Sequence, residues 1–146
     1  MKNAQTHSRY VDWLNADQMH KNSKEWLSEL RFIKDEHLFF EDLIKSYTLD
    51  LLEPQKFVHN KEIIDKIRKS KKRNKLLIKA IKVHVNKLQI MLDDIEQPKE
   101  EEAYKKEHLN LIIDISEFEK KYRILKMQLF DTIKTIKKHQ KQILLI

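Results

Sequence analysis

Residues 54–97 read PQKFVHNKEIIDKIRKSKKRNKLLIKAIKVHVNKLQIMLDDIEQ, and apolar side chains recur along this stretch in alternating steps of three and four. The apolar members are Phe57, Ile64, Ile67, Ile78, Ile81, Val85, Leu88, Leu92 and Ile95, and the polar residues Asn60, Lys71 and Asn74 fill the missing positions. Such a repeat keeps one face of an α-helix turned towards a partner over many turns. The stretch therefore predicts one long helix that packs against others.

The segments on both sides carry ladders of the same kind. Before Pro54 the ladder residues are Trp26, Leu30, Ile33, His37, Phe40, Ile44, Tyr47 and Leu51. After Pro98 they are Tyr104, His108, Leu111, Ile115, Phe118, Tyr122, Leu125, Leu129, Thr132, Ile136, His139 and Ile143. Proline restricts the residue before it and suits the first turn of a helix, so each proline separates two helices. We predict a first helix over 22–52, a second over 54–97 and a third over 98–145.

The composition predicts an all-α chain with few turns. The sequence has no glycine, which sheet proteins use in tight turns, and no cysteine for disulfides or thiolate metal sites. Connections this short make consecutive helices run antiparallel. The expected fold is a single domain, 1–146, built as an elongated antiparallel three-helix bundle with coiled-coil-like seams. Residues 1–21 are expected to form an irregular or short-helical arm, because Asn22-Ser23-Lys24-Glu25 resembles a capping box that starts the first helix.

Basic residues are concentrated in the second helix. The chain has a formal net charge of +7, and residues 66–92 hold ten Lys and Arg and no Asp or Glu. The candidate polyanion-binding residues are Arg68, Lys69, Lys72, Arg73 and Lys75. Folding the hairpin at Pro54 sets the acidic pair Asp35 and Glu36 level with Lys72 and Arg73. Internal pairing and solvation are therefore favoured over a phosphate-binding stripe, which also has no interleaved aromatic residue.

Four histidines fall on or beside the ladders: His37, His84, His108 and His139. Metal-binding bundles use Glu-x-x-His pairs on two helices and further glutamates on the others, and the sequence contains no such pair. Antiparallel alignment sets His37 level with Lys71 and Leu125, and His84 near Leu111, so the histidines are not expected to converge. Hydrogen-bonded seam histidines, without a metal or cofactor, are the favoured interpretation.

Catalysis and membrane insertion find no support in the sequence. It has no glycine-rich phosphate loop, no nucleophile elbow and no cysteine nucleophile, so we expect neither an enzyme nor a small-molecule substrate. No run approaches the ~18–20 apolar residues of a membrane span, and residues 1–10 have no signal-peptide core. The expected location is cytoplasmic.

The leading functional hypothesis is a non-enzymatic interaction or scaffold module that binds a protein partner or another copy of itself through the first helix. Phe32, Phe39 and Leu43 cluster there on a flank about 120° from the ladder, where exposed apolar groups mark an interface. The alternative is a nucleic-acid or ribosome-associated protein that binds through the basic stripe of the second helix.

Overall fold

The computed structural model describes residues 15–93 and 98–144, and in this part of the chain the regular secondary structure is α-helix, with no strand. Its helices are α1 (Ala16–Ser46), α2 (Thr48–Leu51), α3 (Phe57–Asp93) and α4 (Pro98–Leu144). The all-α prediction is confirmed, and the third predicted helix begins at Pro98 as expected. Most of the predicted arm (1–14), ladder position Ile95 and the side chain of Leu92 lie outside the described residues.

The described residues divide into two compact units. Unit 1 contains residues 15–32, 75–93 and 98–117, and unit 2 contains residues 33–74 and 118–144. The long helices α1, α3 and α4 each contribute a segment to both units. Unit 1 has an apolar cluster of Met19, Leu88, Tyr104 and Leu109. In unit 2 the side chains of Phe40 and Leu129 are fully buried, so each unit buries its own apolar core.

The start of α1 differs from the prediction of residue 22. The Asn15 side-chain oxygen accepts a hydrogen bond from the Gln18 backbone N–H at 2.8 Å, so Asn15 caps the helix. The capping-box residues lie inside α1, where the Ser23 hydroxyl donates to the Met19 carbonyl at 2.8 Å. Asn22 contacts His108 instead of the backbone. Residues 16–21 of the predicted arm therefore belong to the helix.

The connection between α1 and α3 is longer than the prediction of one helix ending at 52 and the next starting at 54. After α1 ends at Ser46 the chain forms the short α2, and α3 begins only at Phe57. The buried Asn60 side chain donates to the Leu51 carbonyl at 3.0 Å. A helix end leaves carbonyls without intrahelical donors, and Asn60 supplies one to α2. The polar residue at this ladder position thus secures the turn.

The ladders place most of the core correctly. In α3 every seventh residue of the ladder is buried, namely Asn60, Ile67, Asn74, Ile81 and Leu88. Between these positions burial is shifted towards the residue just before the ladder residue. Ile63, for example, is buried, whereas the ladder residue Ile64 is only half-buried. In α4 the ladder is buried from Tyr104 to Leu129, while His139 and Ile143 are exposed. Ile44, expected in the core, is half-buried.

Two adjacent leucines of α3 give a matched test of this packing. Leu77 is 2 % exposed and Leu76 is 60 % exposed. We predict that Leu77→Ala lowers the free energy of unfolding by about 2–5 kcal/mol, because it removes apolar contacts and leaves a cavity. Leu76→Ala changes the same residue type in the same helix and should stay within ~0.5 kcal/mol of wild type. Urea denaturation followed by circular dichroism measures both. Equal losses in the two variants would mean that the buried face of α3 is assigned wrongly.

Candidate partner-binding groove

A groove of about 500 Å³ lies between α3 and α4 in unit 2. The α3 side contributes Lys66, Lys69, Ser70 and Arg73, and the α4 side contributes Phe118, Lys121, Tyr122, Ile124, Leu125 and Gln128. Three of the α3 residues follow one another at steps of three and four, the spacing that aligns side chains along one helix face. The sequence alone did not predict this groove, although the spacing of Lys66, Lys69 and Arg73 indicates one basic helix face.

The rim of the groove is cationic. Lys66, Lys69, Arg73 and Lys121 are all exposed, and no Asp or Glu is among the lining residues. Lys66 forms an exposed ion pair with Glu62 one turn earlier in α3, at 3.5 Å, and such pairs contribute little. Lys69, Arg73 and Lys121 form no salt bridge with any other residue that the structure describes. Their charged groups are therefore directed to solvent.

The floor of the groove is apolar and held from beneath by α1. Phe118 and Tyr122 stack with ring centroids 6.1 Å apart, and both side chains are buried. The Tyr122 hydroxyl donates to a Glu36 carboxylate oxygen at 2.8 Å, and the ammonium group of Lys126 donates to the other oxygen. Burial, together with the Glu36 carboxylate, raises the pKa of Tyr122. The phenol thus stays protonated and keeps the floor aligned.

A second contact with α1 fixes the α3 side of the groove. The imidazole Nε2 of His37 lies 2.9 Å from the Ser70 hydroxyl oxygen. His37 is fully buried, and burial lowers its pKa despite the Ile33 carbonyl and the nearby Glu41 carboxylate, which raise it. The imidazole that bonds to Ser70 is therefore neutral. Ser70 is next to Lys71, the residue that the sequence set level with His37.

The ion pairs that α1 forms differ from those expected for the hairpin. Glu36, expected beside Lys72 and Arg73, turns to α4 and bonds to Tyr122 and Lys126. Glu41 pairs with Lys71 at 2.6 Å. Folding the hairpin at Pro54 specifies how far along α1 each acid lies but not the direction of its side chain around the helix.

The five candidate polyanion-binding residues are all exposed, and two of them line the groove. Lys69 and Arg73 line the groove, whereas Arg68 and Lys72 are not among its lining residues. Lys75 belongs to unit 1. None of the five forms a salt bridge within residues 15–93 and 98–144. The sequence favoured internal pairing of the basic stripe. Among the described residues, Lys71 and Lys87 pair with acids on other helices, and Lys66 pairs with Glu62 in its own helix.

The predicted interface on α1 is partly exposed. Phe32 is 64 % exposed and lies in unit 1, while Phe39 is 56 % exposed and lies in unit 2 beside the half-buried Leu43. Phe39 is flanked on the helix surface by exposed Asp35, Leu38 and Asp42. We call these four residues, Asp35, Leu38, Phe39 and Asp42, the outer face of α1.

In unit 1 two buried histidines meet, contrary to the expectation that His84 lies near Leu111. His84 Nε2 is 2.9 Å from His108 Nδ1, and both side chains are fully buried. His108 Nε2 lies 3.2 Å from the Asn22 amide nitrogen, and the Asn22 oxygen accepts from Gln18. With the Asn22 amide donating to His108, the bridging proton sits on His108 Nδ1, and His84 Nε2 accepts it.

The remaining nitrogen of His84, Nδ1, points towards the Glu107 carboxylate at 3.7 Å. Because the histidine nitrogens bond to each other, the pair presents no common open position to a metal ion. No group of three or more His, Cys, Asp or Glu side chains with metal-binding geometry occurs in the described residues. The pair is a packing element that includes the stacked ring of Tyr104, 4.0 Å from His84.

A second cleft, of about 850 Å³, lies between the turn before α3 and the end of α4 in unit 2. Its lining mixes Asp50, Glu53 and Asp131 with Lys56 and Lys138. Charges of both signs give it no preference for a partner of one sign, which distinguishes it from the cationic groove.

Comparison with known protein families, curated proteins and solved structures finds no match for this chain. Among the described residues, no helix carries an apolar stretch long enough to cross a bilayer.

The buried histidines predict a dependence of stability on pH. Burial lowers the pKa of His37 and His84, and that of His108 to about 4. Well above pH ~6.5 these histidines are neutral in the folded and the unfolded chain, so they add no pH dependence to the free energy of unfolding. As the pH falls from about 6.5 towards 4, these histidines bind protons in the unfolded chain but stay neutral in the folded chain. The free energy of unfolding should therefore decline, by up to about 1.4 kcal/mol per pH unit for each histidine.

Urea denaturation at pH 7.5, 6.0 and 5.0 measures this decline. His108→Gln should give a shallower pH dependence than wild type, whereas His139→Gln, at an exposed position, should reproduce the wild-type slope. Constant stability between pH 7.5 and 5.0 would contradict the burial of neutral histidines.

Proposed function

We propose that the protein is a non-enzymatic interaction module whose cationic groove binds an acidic amphipathic helix of a protein partner. The observation that carries this proposal is the combination of an apolar floor with a rim of four cations and no carboxylate among the lining residues. An amphipathic helix docks by placing its apolar face in such a groove. Acidic residues at the edges of that face would reach Lys66, Lys69, Arg73 and Lys121.

The architecture that we propose for this module is an antiparallel three-helix bundle in each unit. In unit 2, α1 contacts α3 through Glu41 and Lys71 and contacts α4 through Glu36 and Lys126. In unit 1, α3 contacts α4 through His84 and His108. A docked helix would lie between α3 and α4 as a fourth member of the bundle in unit 2, which is a common way of completing helical packing.

Nucleic-acid binding is the second candidate, favoured by the exposure of Arg68, Lys69, Lys72 and Arg73 without salt bridges in the described part of the chain. Phosphates need cations but no apolar floor. The aromatic rings beside these cations, Phe118 and Tyr122, are buried and offer no face on which a base could stack. The apolar floor therefore favours a protein partner.

The proposal predicts selective binding of acidic amphipathic helices. The probe is a fluorescein-labelled helical peptide with Leu and Phe on one face and Glu at both edges; a second peptide carries Lys in place of Glu. Fluorescence anisotropy should show binding of the Glu peptide alone, weakening as salt is raised. Lys69→Glu/Arg73→Glu should weaken it about tenfold, because two attractions become repulsions at the rim.

Lys79→Glu/Lys82→Glu is the matched control, since it makes the same charge change at exposed positions of α3 in unit 1. It should bind the Glu peptide nearly as wild type does. Equal losses in both double variants would show that net charge, not the groove, attracts the peptide. Tight salt-sensitive binding of single-stranded RNA or double-stranded DNA, with no binding of the Glu peptide, would favour the second candidate instead.

A further inference from the structure

The outer face of α1 has the chemistry that the groove requires of its occupant. Leu38 is 47 % and Phe39 is 56 % exposed, and Asp35 and Asp42 are exposed on either side of them along the helix. Neither aspartate forms a salt bridge with another residue of the described chain. The buried Ile33 and Phe40 lie on the opposite side of α1, so this face is directed to solvent.

We propose that the groove is occupied by the outer face of α1 from a second copy of the chain. This inference rests on the proposed function and names the acidic helix that the groove binds. It draws on residues from both surfaces that the sequence singled out, namely Phe39 from the apolar flank of the first helix and Lys69 and Arg73 from the basic residues of the second.

The spacing of charges on the two surfaces agrees. Asp35 and Asp42 are seven residues apart, and so are Lys66 and Arg73; at 1.5 Å per residue each pair spans about 10.5 Å along its helix axis. When the two aspartates lie against Lys66 and Arg73, the side chain of Phe39 falls between them, over the apolar floor. Lys69 and Lys121 then lie within reach of the same acidic face. One placement thus pairs both aspartates with cations and sets Phe39 over the apolar floor.

A chain cannot fill its own groove in this way. The inner face of α1 packs on α3 and α4 in unit 2, through Glu41 with Lys71 and through Glu36 with Lys126, so its outer face is directed away from both helices. Each copy therefore offers one outer face and one groove to different neighbours. Such a heterologous contact continues from copy to copy unless the rotation closes a ring.

Sedimentation velocity of the wild-type chain tests the inference first. At low salt the average mass should rise above that of the monomer as the concentration increases, and high salt should return it to the monomer by screening the charge pairs. A wild-type chain that stays monomeric at every concentration at low salt would overturn the inference.

Two complementary variants then identify the surfaces. Asp35→Lys/Asp42→Lys removes the acidic face and keeps the groove, and Lys66→Glu/Arg73→Glu removes the basic rim and keeps the acidic face. All four positions are exposed, so both variants should keep the wild-type circular dichroism spectrum. Each alone should be monomeric. Mixed in equal amounts they should associate again, because the unchanged groove of one variant meets the unchanged acidic face of the other, and the two reversed surfaces also carry opposite charges at the paired positions.

A mixture that stays monomeric, or variants that associate as wild type does, would place self-association on another surface and overturn the inference. The Glu peptide separates this failure from failure of the proposed function. Asp35→Lys/Asp42→Lys keeps its groove and should still bind the peptide. Peptide binding without self-association would leave the proposed function standing and remove the second copy as the occupant; loss of both would remove both proposals.

Discussion

The arrangement of unit 2 depends on one constraint: a lysine or arginine cannot be buried without a compensating partner. Helix α3 buries one face against α1 and α4, and its basic residues must reach water or an acid. Lys71 reaches Glu41 on α1. Lys66, Lys69 and Arg73 reach solvent at the edge facing α4, so they surround the strip of apolar side chains that α4 leaves beside them. The packing that orders the core thus also produces a cationic groove.

Buried polar groups hold the helices of each unit at defined positions along one another. In unit 2, His37 bonds to Ser70 and Glu36 bonds to Tyr122, and both bonds join α1 to residues that line the groove. In unit 1, His84 bonds to His108. A one-turn slip would leave these groups buried without partners, at a cost of about 1–3 kcal/mol each. These bonds therefore restrict the register more strongly than interchangeable apolar contacts do, and in unit 2 they keep the two sides of the groove at a fixed separation.

The sequence predicted the all-α class, the start of α4 and most of the buried positions, because burial of a helix face follows directly from the spacing of apolar residues. It misplaced the start of α1, since Asn22 and Ser23 suit both a cap and a buried polar contact, and only the partner His108 decides between them. It assigned Glu36 to the wrong neighbour, because a level along the helix does not specify a direction around it. It missed the His84–His108 bond by three residues, about one turn, since the alignment assumed that the second helix ends at residue 97 and the third begins at residue 98. The groove was not predicted because residues of two helices form it, and the sequence of neither helix identifies it alone.

The direct test of this account is a cross-link between copies, for which the absence of cysteine from the chain is convenient. Phe39→Cys is mixed with Lys69→Cys, which lines the groove, or with Lys72→Cys, which is exposed on the same helix but is not among the lining residues. A disulfide requires Cβ atoms about 3.5–4.5 Å apart, so it reports close approach of the two side chains. The account predicts that mild oxidation at low salt gives the mixed dimer of residues 39 and 69, identified by mass spectrometry, in clear excess over that of residues 39 and 72. Equal yields of the two mixed dimers would contradict it.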